Sequence, residues 1–121
     1  MEKLPDFDYM NELADQAGQA KAEIKMLERL EDMLAAMFMR TAIENKEFWL
    51  GGKPPTATVH LAKIIAKIGN TVDDQAQMEE LRDRISDAYG KFINATEKLQ
   101  TCRDMISIFQ TESANKRKVL I

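Results

Sequence analysis

The chain has one cysteine, one histidine, three prolines and five glycines in 121 residues. A lone Cys102 cannot close an intramolecular disulfide or supply a paired metal ligand, so the chain is expected to fold without a covalent staple, in a reducing, cytoplasmic setting. It falls on an apolar line of the sequence and is read as a buried small hydrophobe, because a reactive thiol needs an exposed, electropositive surrounding. A lone His60 excludes a His–His metal pair and leaves no choice of base for a Ser–His or Cys–His dyad. It is read as a surface or helix-start residue. Runs of about 18 apolar residues are absent, and the acidic opening MEKLPDFDYMNELADQ lacks the uncharged apolar stretch of a signal peptide. The expectation is a protein that neither spans a membrane nor leaves the cell by that route. Gly51-Gly52-Lys53 lacks the spacing of a phosphate-binding loop and runs into Pro54-Pro55 instead of Ser or Thr at a helix start.

Glycine and proline are scarce and also clustered: four of the eight are Gly51, Gly52, Pro54 and Pro55. The rest of the chain is free to form long helices. With 45% hydrophobic and 31% charged residues it can bury a core and stay solvated, and its length fits a single helical domain, 1–121. From 8 to 47, Met10, Leu13, Ala17, Ala20, Ile24 and Leu27 alternate spacings of three and four, one stripe of a coiled-coil-like helix. The next heptad position is Glu31. There the stripe is expected to shift to Leu27, Leu30, Leu34 and Met37, widened by Met33 and Phe38 into a face that needs more than one packing partner.

Residues 48–55 form a loop, since two glycines and two prolines end the helix. A short helix is expected over 56–69, capped by Thr56 or Thr58, with Leu61, Ile64, Ile65 and Ile68 on one face and Gly69-Asn70 as its stop. Thr71, three residues before Asp74, resembles a capping box that opens a helix over 72–115. In that helix Met78, Leu81, Ile85, Ala88, Phe92, Ala95, Leu99, Cys102, Ile106 and Phe109 hold alternating a and d positions, the clearest pattern in the chain. Cations at Arg82, Arg84, Lys91, Lys98 and Arg103 flank it, and Glu23 and Glu28 flank the first helix. Residues 116–121 are left as a basic and apolar tail. The fold class is therefore all-α: a long antiparallel hairpin of two coiled-coil-like arms with a short middle helix. Its wide apolar face is expected to be completed by homo-oligomerisation, and Leu30, Met33, Leu34, Met37, Phe38, Ile85, Phe92, Leu99, Ile106 and Phe109 are the candidates for the packing or oligomer interface.

The net charge of −3 conceals an uneven distribution. Residues 1–50 carry eleven acids against six bases, whereas 51–71 carry only Lys53, Lys63 and Lys67. Those three, with Lys116, Arg117 and Lys118, are the candidates for phosphate contacts that neutralise charge and release counterions. Trp49 is a candidate for base stacking from the loop; as core it would close the bundle end with Phe48. Eight methionines, several on or near apolar stripes, suggest an adaptable docking surface, and core filling is the plainer account. Glu28, Glu31, Glu80 and Asp83 would be the ligands if the chain were an all-α, Mg²⁺-dependent nucleotide pyrophosphohydrolase, which gathers carboxylates against a triphosphate. A solvated face is the plainer account of these acids, so neither a cofactor nor a catalytic residue is assigned.

The layout of a long first helix, a loop, a short helix and a third helix closing on Phe92, Leu99, Met105-Ile106-Ser107-Ile108-Phe109-Gln110-Thr111 and Ser113-Ala114-Asn115-Lys116-Arg117 resembles small phage proteins related to the recombination mediator UvsY. The resemblance covers most of the chain. It implies an oligomeric helical protein of the host cytoplasm that binds single-stranded DNA and helps load a recombinase. No motif aligns, so it assigns no functional residue. The sequence thus yields three functional expectations: a non-catalytic helical oligomer that binds single-stranded nucleic acid, a structural, adaptor or inhibitor protein that docks on a protein partner without binding nucleic acid, and the nucleotide hydrolase.

Overall fold

The computed structural model describes residues 4–55 and 59–120, with side chains as far as Lys116. Three α-helices account for most of them: α1 (Phe7–Glu44), α2 (Val59–Ile68) and α3 (Val72–Leu120), with a 3-10 turn at Lys46–Phe48. The fold is all-α, two long helices with a short one between them in sequence, and no strand occurs among the described residues.

Local chemistry sets the helix ends. Asp6 caps α1, its Oδ1 accepting from the Tyr9 backbone N–H at 2.7 Å, which satisfies one of the donors a helix start leaves open. Leu50 and Lys53 form a tight turn with Gly51 and Gly52 at φ 57° and 72°, left-handed values that a side chain would strain. Gly69 ends α2 at φ 76°, its N–H donating to the Ile65 carbonyl at 2.8 Å. The Thr71 hydroxyl accepts from the Asp74 N–H at 3.1 Å, as a capping box requires, but the Asp74 carboxylate reaches past Thr71 to the Asn70 N–H at 2.9 Å. Thr56 and Thr58, the expected caps of α2, lie outside the described residues. The tail expected from 116 is instead helical, since α3 continues to Leu120. No helix-breaking residue intervenes there, and Asn115-Lys116-Arg117-Lys118 is compatible with continued helix.

The packing falls into two compact units, 1–22 with 88–121, and 23–87. In the first, Leu13, Ala17 and Ala20 on α1 and Ala88, Ala95 and Cys102 on α3 are buried. The last three recur every seven residues, so they form one line of small side chains along α3. The line weakens toward the C-terminus: Met105 and Ile106 are half-buried, and Phe109, expected in the seam, is 49% exposed.

In the second unit, α1 and α3 run antiparallel, shown by Glu31 meeting Arg82 and by Phe38 meeting both Met78 and Asn70. Phe38, Ala42, Ile65 and Met78 form the core, with Leu34, Ala35, Met39, Phe48 and Leu61 packed against it. One departure from the expected stripe is clear. The buried line of α1 does not shift at Glu31; it continues through Ile24, Leu27, Glu31, Leu34, Phe38 and Ala42, with Glu31 and Leu34 half-buried. Glu31 keeps its seam position because Arg82 of α3 faces it at 3.6 Å. That pair is more than a third exposed and contributes about 0.5 kcal/mol or less.

The joint between α2 and α3 generates a stability prediction. A Cβ at Gly69 would collide with the Asp74 side chain, and the positive φ adds backbone strain. Gly69→Ala is expected to lower the unfolding free energy by about 2–3 kcal/mol in urea titration, whereas Gly18→Ala, where a methyl meets open space, is expected to be neutral or stabilising.

Candidate docking face

The 23–87 unit has α2 on one side of the α1–α3 pair. The covered side is defined by Phe38, Ala42 and Met78 packed with Ile65 and Leu61, and by the Arg82 guanidinium donating to the Lys67 carbonyl at 2.8 Å. The opposite side is open. There Leu30, Met33, Leu34 and Met37 of α1 and Gln77, Glu80, Leu81 and Arg84 of α3 line a shallow groove of about 300 Å³. Its apolar floor comes from the register of α1: Leu30, Met33 and Met37 each lie one position before the buried line, at Glu31, Leu34 and Phe38, which turns them to the flank that α2 leaves free. Met33 is 62% exposed and Met37 58%, with Leu30 at 40% and Met26, one turn earlier, at 51%. Methionine suits such a face, since an unbranched thioether adapts to the shape of what covers it.

The other candidate residues separate into distinct fates. Leu34 and Phe38 serve the intramolecular seam, and Ile85, Phe92, Leu99 and Ile106 are half-buried along α3. Trp49 is neither a core plug nor a free stacking ring. It is half-buried, and its indole N–H donates to the carbonyls of Ala42 at 3.0 Å and Ile43 at 3.3 Å, closing the C-terminal turn of α1, while the Lys46 ammonium lies 5.9 Å from its ring centre. Phe48 packs on the core cluster. The sequence signal for this cap is an aromatic donor five residues beyond the helix end, a pattern too loose to be read without coordinates.

Lys53, Lys63 and Lys67 are exposed in the 23–87 unit, the last two one turn apart on α2. Lys116 is exposed in the other unit, and the side chains of Arg117 and Lys118 lie outside the described residues. His60 is exposed and Cys102 buried. Among the described residues no three His, Cys, Asp or Glu side chains converge in a way that could hold a metal ion, so Glu28, Glu31, Glu80 and Asp83 do not form a common ligand set. Glu31 is directed at Arg82 instead. A second groove, of about 310 Å³, is lined in the first unit by Pro5, Tyr9, Lys98, Thr101, Cys102 and Met105. No helix among the described residues is long and apolar enough to cross a membrane. No family model matches the chain, and no curated protein or solved structure matches it significantly.

The capping role of Trp49 can be checked by removing its donor. Trp49→Phe keeps an aromatic ring but removes the indole N–H from the Ala42 and Ile43 carbonyls together with part of the half-buried ring area, so thermal or urea unfolding is expected to show a loss of about 1–2 kcal/mol.

Proposed function

We propose that this is a cytoplasmic, non-catalytic helical docking protein, whose working surface is the groove of Leu30, Met33 and Met37 in the 23–87 unit, and whose partner presents an amphipathic helix. The observation that carries the reading is the one-sided cover of the α1–α3 pair: α2 fills one flank, and the other holds large apolar side chains 40–62% exposed in a row. Contiguous exposed apolar surface beside polar rims marks interaction sites. A helix laid between α1 and α3 would bury its i, i+3, i+4 side chains on the methionines, with Glu80 and Arg84 on the rim selecting its charges.

Oxidative footprinting tests this reading. Hydroxyl radicals generated in the producing cells and in dilute purified protein are compared at Met33 and Met37, with fully buried Met78 as the internal standard. Protection of Met33 and Met37 in cells, by about fivefold or more, is expected; equal reactivity in the two settings would show that the face is bare in use and overturn the reading.

A second reading, single-stranded nucleic-acid binding in the manner of a recombination mediator, is favoured by the exposed Lys53, Lys63 and Lys67, in a stretch that carries no acid from 51 to 71. It predicts fluorescence-anisotropy binding of a labelled oligonucleotide that weakens steeply with salt and that Lys63→Glu together with Lys67→Glu abolishes. Absence of binding at low salt removes it.

A further inference from the structure

Along the open flank of α1 the residues at spacings of three, four, three, four and three are Glu23, Met26, Leu30, Met33, Met37 and Arg40. This is a second heptad seam on the helix, separate from the line buried against α3. It has an order that a generic docking face would not need. Reflected about the midpoint between Glu31 and Asp32, Met26 falls on Met37, Leu30 on Met33, and Glu23 on Arg40. The four central residues are apolar and 40–62% exposed, and the two ends carry opposite charges. Arg40 is exposed and Glu23 half-buried, and neither has an ion-pair partner among the described residues.

We propose that the occupant of the face is a second copy of this chain, packed by antiparallel pairing of the two α1 helices over residues 23–40. The inference rests on the docking reading above and names its partner. A two-fold axis between Glu31 and Asp32 makes the interface isologous, so each contact occurs twice. Met26 of one copy meets Met37 of the other, Leu30 meets Met33, and an apolar strip of four side chains per helix closes on itself. At each end Glu23 meets Arg40 of the other copy. A parallel arrangement would place Glu23 on Glu23 and Arg40 on Arg40, so charge selects the antiparallel one. The flanking positions agree with it: Arg29 would lie against Ala36 of the other copy, leaving no like charges opposed along the outer edge. On the inner edge, Gln77, Glu80 and Arg84 of α3 rim the strip and supply polar contacts.

The strip is short: eighteen residues of helix span about 27 Å, with four apolar side chains per copy, less surface than the roughly 800 Å² per partner of a standard interface, so the dimer is weak and reversible.

Sedimentation equilibrium on the purified full chain up to about 1 mM tests the proposal, with circular dichroism on each variant to confirm helix content. The wild type is expected to pass from monomer to dimer and no further. Glu23→Arg alone and Arg40→Glu alone are each expected to weaken the dimer at least tenfold, since each homodimer then opposes like charges at both ends. The double variant is expected to recover to within about threefold of the wild type, and an equimolar mixture of the two single variants to form the heterodimer, in which both end pairs are again opposite. Met33→Glu, at the most exposed seam position, is expected to give a monomer. A wild type that stays monomeric at about 1 mM overturns the proposal, as does a double variant or a mixture that fails to recover while its helix content is intact. If the purified chain is monomeric while Met33 and Met37 remain protected in cells, self-pairing falls and the docking reading stands with another helix as partner; if they are unprotected in cells, the docking reading falls with it.

Discussion

The 23–87 unit depends on the four-residue joint Gly69-Asn70-Thr71-Val72 and on what it ties together. Gly69 supplies the left-handed backbone that ends α2, Thr71 and Asp74 start α3, and the Asn70 amide donates to the Phe38 carbonyl of α1 at 2.9 Å. One short segment thus sets the exit direction of α2, the entry direction of α3 and the register of both on α1. The core of Phe38, Ala42, Ile65 and Met78 is the packing that this register allows. Because the joint places α2 on a particular flank of the pair, it also decides which flank stays open.

That asymmetry turns an ordinary helix into one with two apolar seams. A helix of 3.6 residues per turn can present neighbouring lines at adjacent positions, and α1 does so between Glu23 and Arg40: the line through Leu27, Glu31 and Leu34 serves α3, and the line one position earlier faces outward. Glu31 is the one charged residue on the inner line, and a carboxylate facing Arg82 keeps its place in the intramolecular seam at little cost in stability.

Much of this was legible in the residues. The all-α class, the two long helices, the break at Gly51-Gly52 and the Thr71 cap follow from breakers, caps and heptads, which are local properties. The wide face at Leu30, Met33 and Met37 was visible as excess apolar surface. Its assignment was not, because periodicity cannot say which of two adjacent lines a partner covers; the apparent shift at Glu31 was the second seam read as a continuation of the first. The Arg82 contact and the Trp49 cap were equally hidden, since each joins groups whose proximity exists only after the chain has folded. Phe109 shows the opposite failure: its heptad position is sound, yet it is half exposed.

The last described turns of α3 behave differently from the rest of that helix. From Ser107 to Lys116 only Ser113 is even half-buried, while Ile108 and Phe109 stand 59% and 49% exposed. A helix segment of that length without tertiary cover is near the limit of what backbone hydrogen bonding sustains in water. Its amides therefore open at a small fraction of the free energy that guards Ala88 and Ala95, and exchange with solvent there runs ahead of global unfolding. The chain consequently has a gradient of persistence along a single helix, with the most easily opened stretch also carrying two large apolar side chains.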